Sequence, residues 1–469
     1  MSVSRANRHH ALSQVSKTAV AFYHRPMRNI FLRSLLVFLS LGLGACTTLS
    51  KPDLKRLYAR DTQNTAQPPI ILIHGLMGST LIDKTTGEEF YPRSASAIAL
   101  SDYRGLTISP VSTAGDNLVP GKIIGDIAGI DFYGALTKVL EDVGKFEKTT
   151  PGQAVNANKR HYYNFVYDWR RDNVIAVNQL HVLIDQIRKD YGDPNLRVDI
   201  IAHSNGGLLT NYYLRYGPND VLDTKNFTQW QEGAQRVRRV VLLGTPNLGA
   251  VTSVERLLRG FRLGFRMIPV EVLTSFATPF QALPSPIVQS ILDTQGKPSK
   301  LNIYDPQLWQ RNQWSVYSPE FLRMLEKQSE TPEQAKNKQA VLQTVFSKNL
   351  QRAERFQSAL TVPFNNNAVR MAAYGGDCVL TANRAIIDEV DGKPFLAFKP
   401  KEVVNKVPVV DYEYLMMAPG DGLVTRDSQD ANQYSFLSLN QNFFLCERHE
   451  FLVNNPYFQN NLLYFLMAR

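Results

Sequence analysis

The 469 residues are 44% apolar, enough to bury one large core or two modest ones. A formal charge of +10 suggests nucleic acid as a partner, but residues 1 to 45 hold six Lys/Arg and no Asp or Glu, leaving 46 basic against 42 acidic residues, or +4, in the rest. That near-balance removes the main support for nucleic-acid binding, and neither internal repeat nor low-complexity tract is evident.

The N-terminus reads as a processing signal. Arg28 and Arg33 precede the apolar run Leu35 to Leu43, too short to span a bilayer comfortably, and Leu43-Gly44-Ala45-Cys46 follows. Leucine, two small residues and a cysteine resemble the lipobox of bacterial lipoproteins, whose cysteine becomes acylated. Cys46 is therefore the expected lipidation site and membrane anchor, residues 1–45 the signal peptide, and residues 46–66 a solvated tether. The stretch before Met27 is long for a signal, so Met27 is an alternative start. The location this implies is the bacterial cell envelope, with Thr47 favouring the outer membrane facing the periplasm; cleavage by an ordinary signal peptidase is the alternative. In that oxidising compartment the remaining Cys378 and Cys446 are expected to pair, against the alternative of two free buried thiols.

Pro69-Ile-Ile-Leu-Ile-His-Gly is the first strong element, a five-residue apolar run broken at His74-Gly75. Such a strand end, ahead of a nucleophile, can offer a backbone amide to a developing oxyanion, here Leu76 N–H. Helical spacing follows from Asp131 to Val143, a strand ends at Tyr167 before Asp168-Trp-Arg-Arg-Asp, and Asn178 to Tyr191 reads as a helix. Val198, Ile200 and Ile201 then form a strand with few polar interruptions, as one buried on both faces would be. It stops at Ser204, and Leu208, Leu209, Tyr212 and Tyr213 take up helical spacing.

Ala202-His203-Ser204-Asn205-Gly206 approximates Gly-x-Ser-x-Gly, with alanine for the first glycine. A serine at such a turn presents its hydroxyl beside the amides of a helix N-terminus, so Ser204 is the candidate nucleophile and Asn205 N–H the second oxyanion donor. Another strand runs from Arg236 to Gly244. Strands alternating with helices predict a mostly parallel, doubly wound α/β sheet. From about 250 to 365 the pattern is interrupted, and a helical cap is expected there. Arg256, Arg259, Arg262 and Arg266 recur against Leu257, Leu258, Phe261 and Phe265, predicting a basic amphipathic helix from Arg256 to Met267, weakened by Gly260 and Gly264. Thr331-Pro332 opens a long second helix. The cap is either a lid or a solvated helix pair without a binding role. The sheet is expected to resume at Val369 and again between Glu402 and Met417.

The order of His-Gly, Tyr-Asp-Trp-Arg, Ala-His-Ser-x-Gly-Gly and Gly-Thr-Pro resembles the lecithin:cholesterol acyltransferase family of α/β-hydrolases, and bacterial lipases and phospholipases of that group are also similar. The resemblance spans roughly residues 69 to 250 and 370 to 455. It implies an α/β-hydrolase fold over residues 67–469 and a serine acyl-hydrolase or acyltransferase acting on lipid esters, with the Asp168-Trp169 loop beside the site. His74 departs from the mammalian members, which carry proline there while many lipases carry histidine.

A serine hydroxyl needs a base, and an imidazole base needs a carboxylate to fix its tautomer. Past residue 66 the histidines are His74, His161, His181, His203 and His449, and only His449 follows a suitable acid. Asp421, between two glycines at a strand end, is the first choice and is also favoured by the family's Gly-Asp-Gly-x-Val segment; Asp377 is the second. The expected triad is Ser204, Asp421 and His449. Neither metal nor organic cofactor is expected, since no ligand-spaced cluster and no Walker or dinucleotide glycine pattern stands out. The rival reading is a membrane-anchored scaffold that keeps the fold without catalysis.

Overall fold

The computed structural model describes residues 51–61, 67–108, 116–127, 129–263, 266–364 and 368–467. Seven strands form one sheet: β1 (Ile70–Ile73), β2 (Phe146–Lys148), β3 (Arg160–Phe165), β4 (Val198–His203), β5 (Val237–Leu243), β6 (Arg370–Gly376) and β7 (Gln441–Leu445). Their spatial order is β7-β6-β5-β4-β1-β3-β2, and every neighbouring pair is parallel.

Period two along these strands sorts their side chains to two faces. Ile71, Ile73, Ile200, Ala202, Val240 and Leu242 pack with helices α2 (Asn173–Tyr191) and α3 (Asn205–Tyr216). Ile70, Leu72, Ile201, Val241 and Leu243 pack on the opposite side with α1 (Gly134–Asp142) and the C-terminal helix Pro456–Met467. Both faces are covered, which is why β1 and β4 are buried along their whole length. The doubly wound sheet is thus as expected. Helix α2 begins five residues earlier than Asn178, because the Asp172 side chain caps it by accepting from Val174 N–H.

A second apolar cluster lies outside the sheet. Val251, Val254 and Leu257 of α4 (Val251–Arg259) meet Phe280, Leu283, Trp309, Phe321, and Phe346, Leu350 and Ala353 of α5 (Pro332–Leu360). Thr331 caps α5, accepting from Gln334 N–H, with proline at the first turn. Ala385, Leu396 and Phe398 join the same cluster, and strands Ala385–Val390 and Lys393–Ala397 form a small sheet with Ile291–Leu292. The material packed over the helices therefore includes residues beyond 365.

Three local expectations are corrected. The helix predicted from Arg256 to Met267 stops at Arg259; Gly260 takes φ +83° and an antiparallel hairpin pairs Phe261–Leu263 with Arg266–Ile268. Phe265 is not among the described residues. Between Glu402 and Met417 there is no strand of the main sheet; Tyr412–Met416 is helical, and Met417–Gly420 pairs antiparallel with Val379–Ala382. Part of the expected tether is packed rather than solvated: Leu54 and Tyr58 are buried against Val143, Leu463 and Met467, and Tyr58 O–H donates to the Asn460 carbonyl at 2.7 Å. The lipidation candidate Cys46 and residues 1–50 lie outside the described residues. Among the described residues no helix is long and apolar enough to cross a membrane.

Candidate active site

The sharp turn between β4 and α3 holds Ser204 at φ 54°, ψ −121°, a conformation a non-glycine residue adopts only when its surroundings enforce it. Close packing supplies the enforcement. A methyl group at Gly206 would sit 2.8 Å from the His74 carbonyl oxygen and 2.9 Å from that of Ile73, so a side chain there would push β1 away from the turn.

Ser204, His449 and Asp421 come together from three segments. Ser204 Oγ is 2.9 Å from His449 Nε2, and His449 Nδ1 is 2.7 Å from Asp421 Oδ2. With Nδ1–H donating to the carboxylate, Nε2 is left as the acceptor for the serine proton. Asp421 is 1% exposed, and its other oxygen accepts from Leu423 N–H at 2.9 Å and Val424 N–H at 2.8 Å. Its carbonyl accepts from His449 N–H at 3.0 Å, which ties the acid loop to the base loop. Asp377, the second choice of acid, instead pairs with Arg426 at 3.2 Å. Cys378 and Cys446 are disulfide-bonded, linking the chain just past β6 to the chain just past β7.

Ser204 and His449 open into a narrow cavity of about 60 Å³ whose wall also includes Leu76, Asn205, Trp169 and Phe276. Leu76 and Asn205, the residues whose amides were expected to face an oxyanion, are thus on the same wall as the serine. The Asn205 side chain is tied down: its Nδ2 donates to Tyr167 Oη at 3.0 Å and to Asn173 Oδ1 at 2.9 Å, while Asn173 Nδ2 returns a bond to Asn205 Oδ1 at 3.1 Å. Trp169 reaches the cavity, whereas Asp168 faces away into a pair with the buried Arg170, at 2.9 and 2.8 Å.

Two further histidines brace the site without joining it. His203 Nε2–H donates to the His449 carbonyl at 3.2 Å, its Nδ1 accepts from Tyr133 O–H at 2.8 Å, and the Tyr133 oxygen accepts from Gly75 N–H at 2.9 Å. Burial, and then the neighbouring His449, push its pKa down to about 3. His74 stacks on Tyr167 with ring centroids 4.3 Å apart, and burial pushes it down to about 4. Both are held neutral. His161 bonds Thr149 and the Asn156 carbonyl, and His181 pairs with Asp185; neither lines the cavity. Tyr133 and Asn173 carried no signal in the sequence, since their roles depend on partners 70 and 32 residues away. Tyr167 sat in the Tyr-Asp-Trp-Arg run but only as a strand end. Among the described residues no group of three His, Cys, Asp or Glu could hold a metal ion.

The family model that describes lecithin:cholesterol acyltransferase matches residues 155–344, a span that contains Ser204 and its turn. Over that span the chain is similar to the lecithin:cholesterol acyltransferase family. Its fold is shared by a chain of the Tle4–Tli4 complex, 15% identical with a TM-score of 0.54, over 86% of this chain and 98% of that one. The Staphylococcus hyicus lipase (12% identity, TM-score 0.34, 90% and 95% covered) and lipase 1 from Pelosinus fermentans (11%, 0.36, 86% and 99%) are more distant. No curated protein matches the sequence. The match over residues 155–344, together with the α/β-hydrolase fold, supports a lipid-ester hydrolase or acyltransferase.

Proposed function

We propose that this chain is a serine acyl-ester hydrolase or acyltransferase that works on membrane lipid esters through an acyl-enzyme, with Ser204 as nucleophile, His449 as base and Asp421 as its orienting acid. What carries the reading is the pair of bonds at 2.9 and 2.7 Å from Ser204 through His449 to Asp421, opening into a largely apolar cavity. Ser204 Oγ attacks the ester carbonyl carbon while its proton passes to His449 Nε2. The oxygen that becomes negative is received by the Leu76 and Asn205 amides, the latter a first-turn helix amide with no partner within its helix. Collapse of the tetrahedral adduct expels the alcohol, which takes the proton from His449. Water, or a second alcohol, then attacks the acyl carbon, His449 takes the attacking proton, and Ser204 is released. Hydrolysis and acyl transfer differ only in that last nucleophile, so exclusion of water from the cavity sets the balance.

Labelling with a fluorophosphonate tests the reading. The wild-type chain should be modified at Ser204, and Ser204→Ala should not be modified at all. A folded wild-type protein that resists the reagent would instead favour the scaffold reading. The accompanying proposal for location is acylation at Cys46 and attachment to a bacterial outer membrane, facing the periplasm.

A further inference from the structure

Among the described residues, one charged side chain lines the cavity without a counter-ion. Arg256, on the last turn of α4, stands on a wall that it shares with Leu76, Met77, Phe261 and Leu273. Its guanidinium lies 4.2 Å from the centre of the Phe261 ring. That stacking fixes the plane of the fork and leaves its edge N–H groups uncommitted. The nearest acid along the helix, Glu255, is taken by Arg259 at 3.4 Å, and among the described residues no carboxylate comes within ion-pair distance of Arg256. The Thr252 hydroxyl beside it donates to the Leu423 carbonyl at 3.0 Å. Burial pulls the arginine down to about 10, which still leaves it charged at neutral pH.

A half-buried guanidinium on an apolar wall loses part of its hydration, and an anion or several acceptors restore it. The described residues supply neither, while the cavity that contains Arg256 also contains Ser204 and His449. An anion bound there belongs to whatever the serine attacks. We propose that Arg256 is the specificity-determining contact for an anionic phosphodiester on the substrate, so that the cavity selects phospholipid esters over neutral glycerides. The inference rests on the ester-hydrolase reading above for its consequence, but not for the binding itself. A planar guanidinium meets two phosphate oxygens through parallel N–H bonds, which a neutral glyceride hydroxyl cannot match.

The test compares kcat/KM on a phosphatidylcholine and a diacylglycerol with identical acyl chains, in neutral detergent micelles, for the full chain. Arg256→Gln should lower the phospholipid-to-glyceride ratio by about tenfold to a hundredfold, with Arg256→Lys between it and the wild type. A parallel fall on both lipids, or none, makes the arginine a structural helix-end residue and overturns the inference. Thermal melts check folding, and if Arg256→Gln does not fold, the Lys variant decides by the same ratio. A non-hydrolysable diether analogue of the phospholipid, titrated into wild type and Arg256→Gln, reads binding without turnover. Weaker binding by about tenfold in the variant supports the contact even if the wild type cleaves neither ester, which would sink only the hydrolase reading. Inorganic phosphate should compete poorly with the diether; equal competition would mark a free-phosphate site and overturn the lipid assignment.

Discussion

Acid should unfold this protein through two histidines that the proposed reaction does not use. His203 and His74 are buried and neutral, their pKa values held at about 3 and about 4 against an ordinary 6.5. The geometry gives the reason. His203 Nδ1 must accept from Tyr133, whose oxygen is already occupied by Gly75 N–H, and His74 Nε2 accepts from Tyr167 N–H. Because the folded values are depressed, the unfolded chain binds more protons between them and 6.5. Stability is therefore complete above about pH 6.5 and is lost as the pH falls towards 4 and then 3. At about pH 5 each group costs about 2 kcal/mol, together about 4, a large part of the 5–15 kcal/mol that holds an ordinary domain. Urea denaturation followed by circular dichroism, in steps from about pH 7.5 to 5, reads this loss directly. His203→Asn keeps a donor and an acceptor but cannot titrate, so its pH slope should be about half as steep. Equal slopes for variant and wild type, or a wild type whose stability does not change over that range, would refute the reasoning.

Asp421→Asn should fold normally yet lose about 10⁴ in kcat on a nitrophenyl ester, because the amide favours the wrong imidazole tautomer. Asp377→Asn, which removes only the pair with Arg426, should stay near wild type; the opposite pattern would mean that the other acid serves the base. A methyl group at Gly207 would lie 1.9 Å from Thr245 Oγ1, so Gly207→Ala should destabilise the fold by about 1–3 kcal/mol in thermal or urea melts, and an unchanged midpoint would show that the turn after β5 yields there. Mass spectrometry of the exported protein should find an acylated Cys46 as its first residue; an unmodified N-terminus beginning elsewhere rejects the anchor.

The sheet could be read from the sequence because its signals are local. β1 is apolar throughout and β4 has few polar interruptions since both faces are covered, and the breaks at His74-Gly75 and at Ser204 mark where those strands must end. The choice between Asp421 and Asp377 was different in kind. Both stand near strand ends in glycine-rich segments, and only the fold shows one 2.7 Å from His449 and the other paired with Arg426. The bracing groups could not be read at all. Asn173 looks like any polar residue after an N-cap, and its pairing with Asn205 exists only because α2 and α3 pack on the same face of the sheet.

The misreading of residues 256 to 267 has the greatest functional consequence. Four arginines at three- and four-residue intervals satisfy a helical period, and that periodicity outweighed Gly260, which is the stronger signal. Gly260 adopts φ +83°, and any side chain there would meet the Ile268 carbonyl at 2.7 Å, so the chain turns into a hairpin instead of continuing. Had the helix run on, Arg256 and Phe261 would stand about 140° apart around its axis and could not stack. The turn brings the Phe261 ring back under the guanidinium, at 4.2 Å, and places both on the wall that Ser204 shares. The expected stripe on one helix face is thereby broken up: Arg259, Arg262 and Arg266 stay exposed while Arg256 alone of the four lines the cavity, where it can meet the individual substrate.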